Sequence, residues 1–105
     1  MAPVEEQKRH EIESAHDLRK KAGAWLRERR CELGLSQREL ASRVSMDYYT
    51  FISQIEAGRG RVPADKLRDW AIALEMEHRE FAYNIMRYYD PYTFEMLFDS
   101  GDKQE

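Results

Sequence analysis

Leu35-Ser36-Gln37-Arg38-Glu39-Leu40-Ala41-Ser42-Arg43-Val44 and, after a short break, Phe51-Ile52-Ser53-Gln54-Ile55-Glu56-Ala57-Gly58 decide the fold. Ser36 and Glu39 have the spacing of a capping box: the hydroxyl accepts from the Glu39 amide and the carboxylate accepts from the Ser36 amide. Leu35 and Leu40 flank the box as its hydrophobic staple. The pattern predicts a helix running to about Val44, with Leu40, Ala41 and Val44 facing inward. At about two turns it must be held by packing rather than propensity. Asp47 reads as the next N-cap, with Met46 and Phe51 as a second staple. Phe51, Ile52 and Ile55 then share a face of a helix over about Tyr48 to Glu56, which stops before Gly58. Two short capped helices joined by a turn of about three residues make a helix-turn-helix.

Upstream, Leu18, Ala22, Trp25, Leu26 and Leu33 recur at helical spacing and predict a helix from Ser14 to Leu33, with Gly34 placed for its C-cap. Downstream, a loop holding Gly60 and Pro63 leads to Leu67, Trp70, Ala71 and Leu74 at i, i+3, i+4, i+7. A further helix is predicted from His78 to Tyr89, and Asp90-Pro91 reads as N-cap and N1 of a last short one. Trp25 and Trp70 read as core anchors. The chain divides into a flexible charged segment (1–13), a helical module (14–74) and an acidic aromatic helical extension (75–105), with Asp99 to Glu105 expected to be disordered.

The 105 residues are 42% hydrophobic and 35% charged, with five Gly and three Pro, a balance that suits one small all-α domain. No apolar run would span a bilayer, and the charged N-terminus lacks the apolar core of a signal peptide. Cys31, the single cysteine, is expected to be an inert thiol in a reducing compartment, which points to the cytoplasm. His10, His16 and His78 have no ligand spacing, so neither a metal nor a cofactor is expected. Gly58-Arg59-Gly60 neither follows a strand nor extends into a phosphate-binding fingerprint. No nucleophile, metal or general-base constellation supports an enzyme. The net charge of −3 conceals a split: −3 over residues 1–18, +6 over 19–68 and −6 over 69–105. A basic centre between acidic ends suits either a polyanion partner or merely solvated helix faces.

Gly23-Ala-Trp-Leu26-Arg27-Glu-Arg-Arg30, Gly34-Leu35-Ser36-Gln37, Glu39-Leu40-Ala41 and Ile52-Ser53-Gln54-Ile55-Glu56-Ala57-Gly58, followed by Pro63 and Leu67, resemble the phage repressor and Cro type of helix-turn-helix, the Xre family. The resemblance spans Gly23 to Leu74 and carries several motifs in order. It implies a lambda-repressor-like helical bundle, here with a C-terminal helical extension, that binds double-stranded operator DNA, usually as a dimer. Two departures stand out. The family's turn glycine is Ser45, which suggests that this position avoids a left-handed backbone. One additional residue also separates Val44 from Ile52.

The resemblance implies that Tyr49, Thr50, Ser53 and Gln54 face the bases in the major groove. Gln54 has the chemistry to pair with adenine, while Tyr49 and Thr50 suit a thymine methyl or a phosphate. Gln37 matches a phosphate-contacting family position, and Arg38, Arg43, Arg59 and Arg61 are further phosphate candidates. Arg27, Arg29 and Arg30 share their helix with Glu28 and Glu32 and read as surface ion-pair partners. In the C-terminal segment, Phe81, Ile85, Tyr88, Tyr89, Tyr92, Phe94 and Phe98 offer a homodimer interface, the alternative being that they pack back on the module. The expectation is a homodimeric transcriptional regulator acting on a roughly palindromic operator at the nucleoid. The alternative is an antitoxin or adaptor that grips a protein partner.

Overall fold

The computed structural model describes residues 12–99. It contains α1 (Ala15–Glu32), α2 (Gln37–Arg43), α3 (Tyr49–Glu56), a 3-10 turn (Ala64–Lys66), α4 (Leu67–Ala73), α5 (His78–Tyr89) and α6 (Pro91–Phe94), which runs into a π turn (Glu95–Asp99). No strand occurs among the described residues. The flexible lead-in expected over 1–13 lies outside them apart from residues 12 and 13, as does the tail expected to be disordered from Asp99, apart from Asp99 itself, which ends the π turn.

The local signals act where the sequence puts them. Ser14 caps α1 by accepting from the Asp17 amide. At α2 both halves of the capping box form: Glu39 N–H to Ser36 Oγ at 3.0 Å and Ser36 N–H to Glu39 Oε1 at 2.7 Å. Asp90 and Pro91 open α6 as cap and first residue, and Glu77 caps α5 through the Glu80 amide at 2.8 Å. The amides bonded to Glu39 and Glu77 hold both carboxyls below the ordinary glutamate range. A carboxyl held low in the folded state stabilises above its unfolded pKa and loses that contribution as pH falls through its folded pKa. Acid titration followed by NMR is therefore expected to release the Ser36 and Glu80 amides below the ordinary glutamate pKa, fraying the first turns of α2 and α5 ahead of the core.

The α2–α3 connection differs from expectation. It spans five residues, Val44 to Tyr48, against the turn of about three expected. Tyr48, not Asp47, is the N-cap of α3, and its side chain makes no capping bond. Ile52 and Ile55 take the inward positions, and Phe51, turned by about 100° from Ile52, points out, 48% exposed. Ser45 is left-handed after all, with φ of 57°. It ends α2 in a Schellman arrangement, in which Ser45 N–H reaches Ser42 O and Met46 N–H reaches Ala41 O. Lys66 Nζ, at 3.2 Å from both the Val44 and Ser45 carbonyls, adds a cation at the helix C-terminus. These bonds offset the steric cost of a side chain at positive φ.

The end of α4 repeats the device. Glu75 is left-handed, with φ of 55°. Arg29 donates to the carbonyls of Leu74 (2.8 Å) and Glu75 (3.0 Å), and Arg43 to that of Ala73 (3.3 Å). Around these ends closes one core of Leu26, Leu40, Val44, Ile52, Ile55, Val62, Trp70, Leu74, Phe81 and Ile85. Trp70 is fully buried at its centre, whereas Trp25 packs on its edge.

Candidate nucleic-acid interface

Successive side chains on α3 are turned by roughly 100°. Ile52, Ile55 and Glu56 therefore share the inward side, Thr50 and Gln54 lie opposite them, and Tyr49 and Ser53 hold the flank between, the four forming one arc. The four lie along the open side of the helix, Ser53 half-buried and the others exposed. Tyr48, 65% exposed, stands just ahead of them against Phe51. An apolar cleft lined by Met46, Phe51, Ile55 and Pro63 opens beside Gln54 and Arg61.

Cationic side chains flank this arc. The Arg38 guanidinium lies 4.5 Å from the centroid of the Tyr49 ring. Arg59 Nε donates to Gln54 Oε1 at 2.9 Å, which orients the amide. Arg61 stacks on Tyr89, again at 4.5 Å. Among the described residues, Arg38, Arg59 and Arg61 have no carboxylate within ion-pair distance, so their charges are available to a polyanion.

Two expected phosphate contacts are engaged elsewhere. Gln37 is half-buried, and its side-chain nitrogen donates to Glu56 Oε1 at 3.0 Å. Arg43 is tied to the end of α4 through the Ala73 carbonyl, although it remains exposed.

Sequence reasoning missed what holds α2, α3 and α1 in register. Arg30 is a buried residue, not a surface partner of Glu28 or Glu32. Its fork meets the Glu56 carboxylate at 2.6 Å (Nε to Oε2) and 3.0 Å (Nη2 to Oε1), and Nη1 donates to the Leu35 carbonyl at 2.7 Å. Hydrogen bonding to Glu56 holds the guanidinium further toward its charged form and outweighs the opposing effect of burial. The signal was in the sequence. Arg30 continues the Leu18, Ala22, Leu26 stripe at four-residue spacing, and Glu56 falls beside Ile52 on the inward side of α3. Arg29 does pair with Glu32, at 3.3 Å, but its main partners are the Leu74 and Glu75 carbonyls just past α4.

Part of the expected partner-facing set is covered by its own chain. Phe81, Ile85 and Phe94 are buried, so these three are withdrawn from the interface: a side chain in the core has no area left for a partner. Tyr88 is half-buried against Trp25, and the Tyr89 hydroxyl accepts from the Val62 amide. Tyr92 is exposed, and Phe98 is exposed at the end of a cluster with Tyr83 and Phe94. Met96 and Leu97 extend this surface and were not anticipated as part of it.

No group of His, Cys, Asp or Glu side chains that could hold a metal occurs among the described residues, and none of their helices is long and apolar enough to cross a membrane. The Helix-turn-helix family model matches residues 26–81, more than half of the chain. That span contains α2, α3 and the arc of α3 described above. No curated protein matches the chain.

Proposed function

Because this chain belongs to the helix-turn-helix family of the Xre, or phage-repressor and Cro, type, we propose that it regulates transcription as a homodimer that reads a roughly palindromic operator. The observation that carries this reading is the arc of Tyr49, Thr50, Ser53 and Gln54, flanked by Arg38, Arg59 and Arg61 free of carboxylate partners among the described residues. A helix of this width enters the major groove, where every base pair has its own donor and acceptor pattern. Gln54, with its amide oriented by Arg59, is suited to the paired acceptor and donor of adenine. The exposed apolar side chains of Tyr83, Tyr92, Met96, Leu97 and Phe98 supply the dimer contact. The same surface supports the second reading, a protein-binding adaptor or antitoxin. The operator reading places the protein in the cytoplasm on the nucleoid.

Selection of genomic DNA fragments by the purified protein at near-physiological salt tests the proposal. The expected product is a short inverted repeat with half-sites about 34 Å apart. Gln54→Ala is expected to relax preference at one position of each half-site by about 1–3 kcal/mol. Recovered fragments without a shared motif, from a protein monomeric by light scattering, would overturn the operator reading and favour the adaptor.

A further inference from the structure

Tyr89 closes α5, beyond the residues 26–81 matched by the family model, yet its side chain reaches the segment that follows α3. Its hydroxyl accepts from the Val62 amide at 3.1 Å, and its ring carries the Arg61 guanidinium at 4.5 Å. Two consecutive residues of one loop are thus held by one side chain. Apart from the buried Val62 side chain, few backbone bonds hold the loop. Arg59 N–H closes the end of α3 on Gln54 O, and Lys66 N–H closes the next turn on Pro63 O. Between them, among the described residues, the Gly60 and Arg61 amides have no protein partner, and Pro63 has no N–H to give. The side chain of Val62 is buried, so its amide needs a partner that water cannot readily supply.

The same loop is a cationic edge beside α3. Arg59 and Arg61 belong to it, and at its start Gly58 lies close against the backbone of Lys20 on α1. An arginine left free in solution loses much rotamer freedom when it settles on a phosphate. One already laid across an aromatic ring has lost part of it beforehand.

We propose that Tyr89 is a positioning residue for DNA binding, one that fixes Arg61 and Val62 so that the C-terminal helix and the cationic edge beside α3 act as one unit. The proposal rests on the DNA-binding reading above. It gives the extension a role at the DNA surface within one protomer, separate from any part in dimerisation.

The test compares wild type with Tyr89→Phe, Tyr89→Leu, Arg61→Ala and the Arg61→Ala/Tyr89→Leu double variant. It reads amide hydrogen exchange in the free protein and binding to a labelled random-sequence duplex across a salt series. In Tyr89→Phe, the Val62 amide is expected to exchange about tenfold faster while Leu40 and Ile52 keep their protection, with DNA affinity down about threefold. Tyr89→Leu is expected to weaken binding about as much as Arg61→Ala, each lowering the salt slope by about one, and the double variant to be no weaker than Arg61→Ala alone. Multiplying losses in the double variant, or unchanged Val62 exchange in Tyr89→Phe, would overturn the inference while leaving DNA binding intact. A wild-type protein that does not retain the duplex overturns both readings, and that failure is visible before any variant is made.

Discussion

Glu56→Ala is expected to cost about 3–5 kcal/mol, the range for removing one partner of a buried ion pair. The side chains of Arg30 and Glu56 are only 9% and 4% exposed, so the abandoned guanidinium would keep its charge with little water to solvate it. Arg30 has a further bond to the buried Leu35 carbonyl, which discourages it from swinging out. A domain with about 5–15 kcal/mol in total would lose a large fraction of its stability. The loss should be read from urea unfolding as a lower midpoint at unchanged slope. Added salt should restore none of it, because a buried pair is poorly screened. Replacing both partners, as Arg30→Met with Glu56→Leu, is expected to recover much of the loss, since the cost of a broken pair is chiefly the stranded charge. A loss below about 1 kcal/mol for Glu56→Ala, the range of a surface ion pair, would show that the pair is solvated. Gln37 loses its acceptor in the same variant, which adds to the loss of stability.

That pair also marks the boundary of what the sequence made legible. The capping box at Ser36, the Asp90-Pro91 start and the bounds of α5 all rest on residues within a few positions of each other, and all three formed. Arg30 was assigned to Glu28 and Glu32 by the same local rule, whereas its partner is 26 positions away across a helix crossing. Ser45 was judged by the steric preference of a single residue. The bonds that offset its strain come partly from Lys66, which no local rule connects to it. The arc of α3 was readable because helical periodicity alone sorts Ile52 and Ile55 from Thr50 and Gln54. Phe51 lies at the edge of the inward face, about 100° from Ile52, where periodicity alone does not decide between core and solvent. For the C-terminal aromatics, composition called for burial but did not say in which chain. Phe81 and Ile85 turn out to complete the core of the first.

Gly23→Ala is the second large effect, and its sign runs against ordinary helix propensity. In the interior of an exposed helix, alanine is more stable than glycine by about 0.5–1 kcal/mol. At Gly23, however, α1 crosses the end of α3 so closely that a methyl group would overlap the Glu56 carbonyl oxygen and lie 2.6 Å from both the Glu56 carbonyl carbon and the Ile55 oxygen. These are backbone atoms on a capped helix end and have no rotamer through which to escape. The helices must separate, at the overpacking cost of about 1–3 kcal/mol or somewhat more. Separation also pulls on the Arg30–Glu56 pair, which joins the same two helices about two turns further along α1. A net loss of about 1–3 kcal/mol should lower the melting temperature by several degrees in a domain of this size. Gly60→Ala is the matched control. Its new methyl would meet only side-chain and backbone atoms at 3.8–4.0 Å, and its φ is not in the left-handed region. The comparison therefore isolates the crossing. A Gly23→Ala protein as stable as wild type would mean that α1 does not set the tilt of α3, and the orientation of Gln54 and its neighbours would then have to come from α2 and the Arg59 contact alone.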